Sequence, residues 1–352
     1  MHATSSPAAD AAPSPEQQQL YRLGVAVERL IAADIPSRGV VEQLHQAALE
    51  ASTGEPLAYA AARALTQRVE PGDRVLICTG WPSRSWLLEG LTETDGPAGA
   101  AYLARVLEQA LGIVPILVVA PGLEAFARAA LGGAGMIVAD VATALRSKTG
   151  RHRASVAAVQ PFTTDPVAAP TAAAQLMAEL APAAVVAIEM PGANADGEYH
   201  NITGRLVPTE LVAKADAIFA NAAASGVLTV GIGDGGNELG MGSIAPAVAK
   251  VLTDGDRVAP AQPVDQLVVA SVSNFGAVGI AASVAALADR PKILRTVDLQ
   301  RITDRLADVG AIDGLSSYVD PNNDGLRPRA TTALLEVIMT TVEMHLGGWV
   351  KG

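Results

Sequence analysis

Cysteine occurs once in the 352 residues, at Cys78. One thiol excludes an intramolecular disulfide and a multi-cysteine zinc site. It closes the apolar run Val75-Leu76-Ile77, which favours a buried structural thiol over a reactive one. Aromatic residues are scarce at 3%, too few for platforms that stack nucleic-acid bases. Basic residues are outnumbered, 25 Lys+Arg against 36 Asp+Glu, for a formal charge of −11. That balance excludes a broad phosphate-binding surface, so no nucleic-acid partner is expected. The G-x-x-x-x-G-K-[ST], G-x-S-x-G and H-E-x-x-H signatures are absent. So is a basic head followed by an apolar run; Met1 to Pro15 is rich in Ala, Ser and Pro and is expected to be a flexible tail. A reducing, cytoplasmic setting is the corresponding expectation.

One stretch, residues 267–288, carries no charge. Ser271, Ser273, Asn274, Gly276, Gly279 and Ser283 interrupt it. It divides into a strand, a turn and a helix better than it forms a membrane span.

Half of the residues are apolar, and they fall in two rhythms. Helical spacing marks residues 16–34, 38–51 and 55–70. Short apolar runs then alternate with helical patterns. Strands are expected at 74–79, 113–119, 155–160, 184–189, 227–232 and 266–271. Helices are expected at 97–111, 122–131, 166–180, 208–223, 238–251 and 276–288, with two more near 297–309 and 329–346. This is an α/β pattern: a largely parallel, layered sheet with Gly-rich strand-end loops, preceded by a helical segment. Residues 16–352 read as one such region, with a soft subdivision near Gly150-Arg151-His152-Arg153.

Ligands of open α/β sheets sit beyond the carboxyl ends of the strands. The richest such loop runs from Gly231 to Gly242. Its glycines allow close backbone approach, and Asp234, Asn237 and Glu238 offer oxygen ligands to a hard divalent cation. The N–H groups there also suit an anion. Gly231, Gly233 and Gly236 match a dinucleotide fingerprint, with Asp254 as the ribose partner, although Asp234 would repel a pyrophosphate. A plain Gly-rich turn with capping Asp and Asn is the third reading. The loop from Glu189 to Gly204 holds a strand-end carboxylate and Tyr199-His200-Asn201. Glu189 suits a metal or base role, and His200 a proton carrier. In Thr92 to Ala100, Asp95 is either an N-cap before Pro97 or, with Glu93, a crevice residue. Asp320 to Gly325 begins like a calcium loop, but its twelfth position is Thr331; an Asx turn accounts for it better.

Together these loops resemble the D-glutamate cyclase family. The resemblance rests on Asp34…Arg38-Gly39, Thr79-Gly80-Trp81-Pro82 and Glu93-Thr94-Asp95-Gly96-Pro97-x-Gly99-Ala100. It continues through Glu189-x-Pro191-Gly192, Tyr199-His200-Asn201-x-x-Gly204, the Gly231–Gly242 loop and Ala311-Ile312-Asp313-Gly314. The stretch Ser83 to Leu88 differs from the family's proline-richer segment. The resemblance implies conversion of D-glutamate to 5-oxo-D-proline with loss of water, and a divalent cation, Mn2+ or Mg2+. On that chemistry Asp234, Glu238 and Glu189, with Asp95, are the expected metal ligands. His200, Glu238 and Asp234 are the catalytic candidates. Asn201 and Asn237 would orient the substrate, the N–H groups of Gly235 and Gly236 would hold a carboxylate, and Arg84 would meet the α-carboxylate. The expected partner is a small acidic molecule, and a homo-oligomer stays open. Two other classes use the same crevice: a non-catalytic binder or sensor of an acidic metabolite, and a nucleotide-dependent enzyme built on Gly231, Gly233 and Gly236.

Overall fold

Strands form where the sequence places short β-branched runs. The computed structural model describes residues 13–52, 54–85, 87–147 and 154–347. Most of the expected tail, and the soft boundary at Gly150 to Arg153, lie outside the described residues. The strands are β1 (Arg74–Thr79), β2 (Val114–Val119), β3 (Ile137–Ala139), β4 (Val156–Pro161) and β5 (Ala184–Ile188). Then come β6 (Tyr199–His200), β7 (Leu206–Val207), β8 (Leu228–Gly233) and β9 (Gln266–Val269). Seven of them make one sheet in the order β3-β4-β2-β1-β5-β8-β9. All its pairings are parallel. β6 and β7 form a separate antiparallel ribbon. Every residue of β2 and of β8 is buried, which requires cover on both faces of the sheet. Cys78 is buried in β1, and burial pushes its thiol well up, so it packs as an unreactive side chain.

The amino-terminal helices are Pro15–Ile31, Val41–Ala51 and Leu57–Arg68. The first opens on a capping box between Ser14 and Gln17. The uncharged stretch resolves into β9 and the helix Ser273–Leu287, buried along nearly its whole length. That helix packs on Pro97–Leu111 and Leu57–Arg68. No helix among the described residues is long and apolar enough to cross a membrane.

Two expected helices are shorter. The pattern over 208–223 becomes a 3-10 turn, Thr209–Leu211, and a helix, Ala215–Ala224. Lys214 explains the break: its Nζ donates to the Thr209 and Val212 carbonyls, drawing them off a helical ladder. The expected helix at 238 begins only at Ala245, after a 3-10 turn at Gly242–Ile244.

From β1 the chain first builds outward through β2, β3 and β4, then returns to place β5 on the other side of β1. The loops after β1 and β5 diverge there, and a parallel sheet opens its ligand crevice at such a switch point.

Candidate active site

Four segments from the carboxyl edge of β1, β5, β8 and β9 converge at that crevice. Asp95 lies on the loop between β1 and Pro97–Leu111, Glu189 follows β5, Asp234 follows β8, and Ser273 and Asn274 open the helix after β9. All are buried. Carboxylate oxygens of Asp95, Glu189 and Asp234 lie within 4.8 Å of one another. Glu189 has φ +45°, in the left-handed region, a costly conformation for a side chain with a Cβ and one typical of functional sites.

Two helix starts hold this group in place, each capped by the other's neighbour. Asp95 accepts from Ser273 N–H at 3.1 Å and Asn274 N–H at 2.7 Å. In return, Asn274 Oδ1 accepts from Gly96 N–H at 3.0 Å and Gly99 N–H at 2.5 Å. Asp95 therefore does not cap its own helix, where Gly96 takes the cap position without a side-chain bond. It caps Ser273–Leu287, 178 residues away. Asp234 joins it by accepting from the Ser273 N–H at 3.1 Å, and Ser273 Oγ donates to Glu189 at 2.7 Å. The positive end of a buried helix thus faces three carboxylates. Gly96 is required here: its φ is +90°, and a Cβ would lie 2.8 Å from the Glu189 Cβ.

Asn274 Nδ2 also donates to the Thr94 carbonyl and to Asn323 Oδ1, so all of its polar capacity is used. Asn274→Ala leaves several buried partners unpaired. It is expected to cost on the order of 3 kcal/mol, measured by urea unfolding.

Burial raises the acid pKa values first, and the neighbouring carboxylates add to it. Asp95 is pushed to about 6, Asp234 to about 7 and Glu238 to about 7, while Glu189 rises well above its ordinary value. Arg38 works in the other direction. Its Nη1 donates to Asp234 Oδ1 at 2.6 Å, and its Nη2 pairs with Asp324. Burial disfavours the charged guanidinium, but Asp234, Glu189, Asp95 and Glu238 outweigh it, so its pKa rises. Asp34 presents this arginine by accepting from the backbone N–H groups of Arg38 and Gly39.

A cavity of about 360 Å³ opens onto the cluster. Arg38, Glu189, Asp234 and Glu238 line it, as do Asn201, Asn237, Arg84, Arg205 and Trp81. Asn201 braces its own turn by accepting from Thr203 and Arg205, and Asn237 donates to the His200 carbonyl at 3.2 Å. Arg84 reaches the Gly314 carbonyl at 2.6 Å and Ser317 Oγ at 2.7 Å, which fastens the wall.

Three expectations change. The N–H groups of Gly235 and Gly236 do not face a ligand: they donate to Glu238, at 2.7 and 2.8 Å. Asp234 N–H joins them at 3.2 Å. Glu238 thereby fills the anion nest of its own loop, which removes the cradle a dinucleotide pyrophosphate would need. His200 is buried but turned from the cavity, with Nε2 3.3 Å from Arg257 and 3.6 Å from Glu198. Burial and then Arg257 lower its pKa, against the opposing pull of Glu198. The Asp320–Gly325 loop places Asp324 on the cavity wall as an ion-pair partner of Arg38.

The reading of the residues missed the roles of Arg38, Asn274 and Asp324. The signal for Arg38 was the short spacing Asp34…Arg38-Gly39, which the structure explains as a backbone-gripping turn.

A family model described as D-glutamate cyclase-like, C-terminal matches residues 27–339. The chain belongs to that family. Within this D-glutamate cyclase-like chain, 98 residues are 41% identical to the D-glutamate cyclase, mitochondrial, of Homo sapiens. The matched stretch is 28% of this chain and 16% of the human protein. The converging loops therefore belong to a D-glutamate cyclase-like scaffold.

Three close, buried carboxylates are hard oxygen donors whose mutual repulsion a divalent cation would relieve. Among the described residues, Arg38 is the guanidinium paired with this group, through Asp234, and it supplies a single positive charge. This donor set fits a hard divalent cation.

Proposed function

We propose that the chain cyclises D-glutamate to 5-oxo-D-proline with loss of water, using Mn2+ or Mg2+ held by Asp95, Glu189 and Asp234. The observation that carries this reading is the meeting of those three buried carboxylates at the edge of the cavity. The D-handedness rests on the family alone.

The amine and the γ-carboxylate are already tethered, so the site gains most by holding a folded conformer. The α-nitrogen forms a bond to the γ-carboxyl carbon, and one carbon–oxygen bond breaks. The ammonium gives up two protons, and the departing oxygen takes both as water. When bound, the cation supplies charge that polarises the γ-carboxylate and offsets the substrate's negative charge. Glu238 is the proton carrier of this scheme. It lines the cavity, and its pKa near 7 suits both taking and returning a proton at neutral pH. Asn201 and Asn237 orient the substrate from the wall, and Arg84 contributes positive charge toward the α-carboxylate. His200 serves by holding Asn237 through its carbonyl.

The test is chiral chromatography of D- and L-glutamate incubated with the purified chain and Mn2+, Mg2+ or chelator. Metal-dependent loss of D-glutamate matched by 5-oxo-D-proline is the expected result. Absence of turnover with either metal would remove the cyclase reading and leave a binder of acidic metabolites.

A further inference from the structure

Both oxygens of Asp234 are engaged: Oδ1 accepts from Arg38 at 2.6 Å, and Oδ2 accepts from the Ser273 N–H at 3.1 Å. A cation drawn to the three carboxylates therefore meets a guanidinium already in possession of one of them. We propose that Arg38 is a built-in counter-ion that a divalent cation must displace from Asp234, and that the displaced guanidinium then receives the substrate's carboxylate. This rests on the metal-dependent reading above.

Three observations support it. Arg38 faces the cavity, so its guanidinium can turn without leaving the site. Its other terminal nitrogen pairs with Asp324, on a different segment, which keeps it anchored when Asp234 is given up. Its Nε is buried without a hydrogen-bond partner, so a donor is in place for a further acceptor. The backbone stays fixed through this change, because Asp34 grips the N–H groups of Arg38 and Gly39.

The consequence is coupling. A cation that frees Arg38 prepares the site for a carboxylate, and by linkage a carboxylate that engages Arg38 raises the affinity for the cation.

Mn2+ binding, followed by electron paramagnetic resonance on the full chain, tests this without turnover. Glutarate is the probe, because it has both carboxylates and no amine. In the unsubstituted protein, saturating glutarate should tighten Mn2+ binding about tenfold. Arg38→Met should bind Mn2+ about tenfold more tightly without glutarate and lose the glutarate effect. Asp324→Asn should weaken Mn2+ binding, because it removes the anchor that receives the displaced guanidinium. Mn2+ affinity of Arg38→Met no higher than that of the unsubstituted protein, or a retained glutarate effect, overturns the proposal. Should Arg38→Met fail to fold, Asp324→Asn decides: unchanged or tighter Mn2+ binding overturns it. Failure of the unsubstituted protein to bind Mn2+ at all would instead bring down the metal-dependent reading, and this one with it.

Discussion

Replacing Asp234 with asparagine is expected to lower metal-dependent turnover about a thousandfold without lowering the thermal midpoint of the metal-free protein. The two effects have one origin. Asp234 stands among three other buried carboxylates, and burial and Asp95 raise its pKa to about 7 against the pull of Arg38. The charge is held at a cost to the fold, and in the proposed reaction its use is to hold a cation. Asparagine keeps the shape and can still accept from the Ser273 N–H, but contributes no charge. Losing roughly 4 kcal/mol of the charge stabilisation a cation supplies corresponds to about 10³ in rate. Product formation by chiral chromatography and a circular dichroism melt read the two effects separately. Activity within tenfold of the parent would remove Asp234 from the cation-binding group.

The second large effect concerns pH. Asp95, Asp234 and Glu238 are protonated more readily in the folded chain, at about 6, 7 and 7, than at their ordinary values of 3.8, 3.8 and 4.5. The folded state therefore binds more protons than the unfolded state between about pH 4 and 7. Their contribution to stability is fully present below that window and is lost as pH rises through it. The metal-free protein should melt several degrees lower at pH 8 than at pH 5. A bound cation reverses the sign, because it needs the carboxylates ionised. At one hundred times its dissociation constant a cation adds about 2.7 kcal/mol, so the midpoint at pH 8 should recover on the order of 5 °C. Differential scanning calorimetry with Mn2+ and with chelator checks this. A metal-free midpoint that rises between pH 5 and 8 would contradict it.

Much of the scaffold was readable in the residues. β1 and the helix Pro97–Leu111 fall at their expected bounds, because a β-branched run and a Gly-Pro start leave little freedom. Glu189, Asp234 and Asp95 were legible because parallel sheets gather strand ends on one edge. Local pattern misled at Glu238. An acidic residue after glycines looks like a helix start, yet its carboxylate is closer to satisfaction in its own loop's N–H groups. The short strand β3 left no trace, since three residues at an edge need no long apolar run. The bond between Arg38 and Asp234 spans 196 residues, and that between Asn274 and Gly96 spans 178. No spacing rule reaches so far. His200 had the right chemistry and the right loop, but the orientation of a side chain on a two-residue strand is decided by Arg257 and Glu198.

The helix Ser273–Leu287 has no wet face: all but its last residue are buried. Fraying such an element means parting it from the helices Pro97–Leu111 and Leu57–Arg68 at once. The backbone N–H groups that grip Asp95 and Asp234 belong to its first turn. The acid cluster is thereby tied to one of the most deeply buried helices of the described residues. Heat is then expected to abolish the site in the same cooperative step that abolishes the fold.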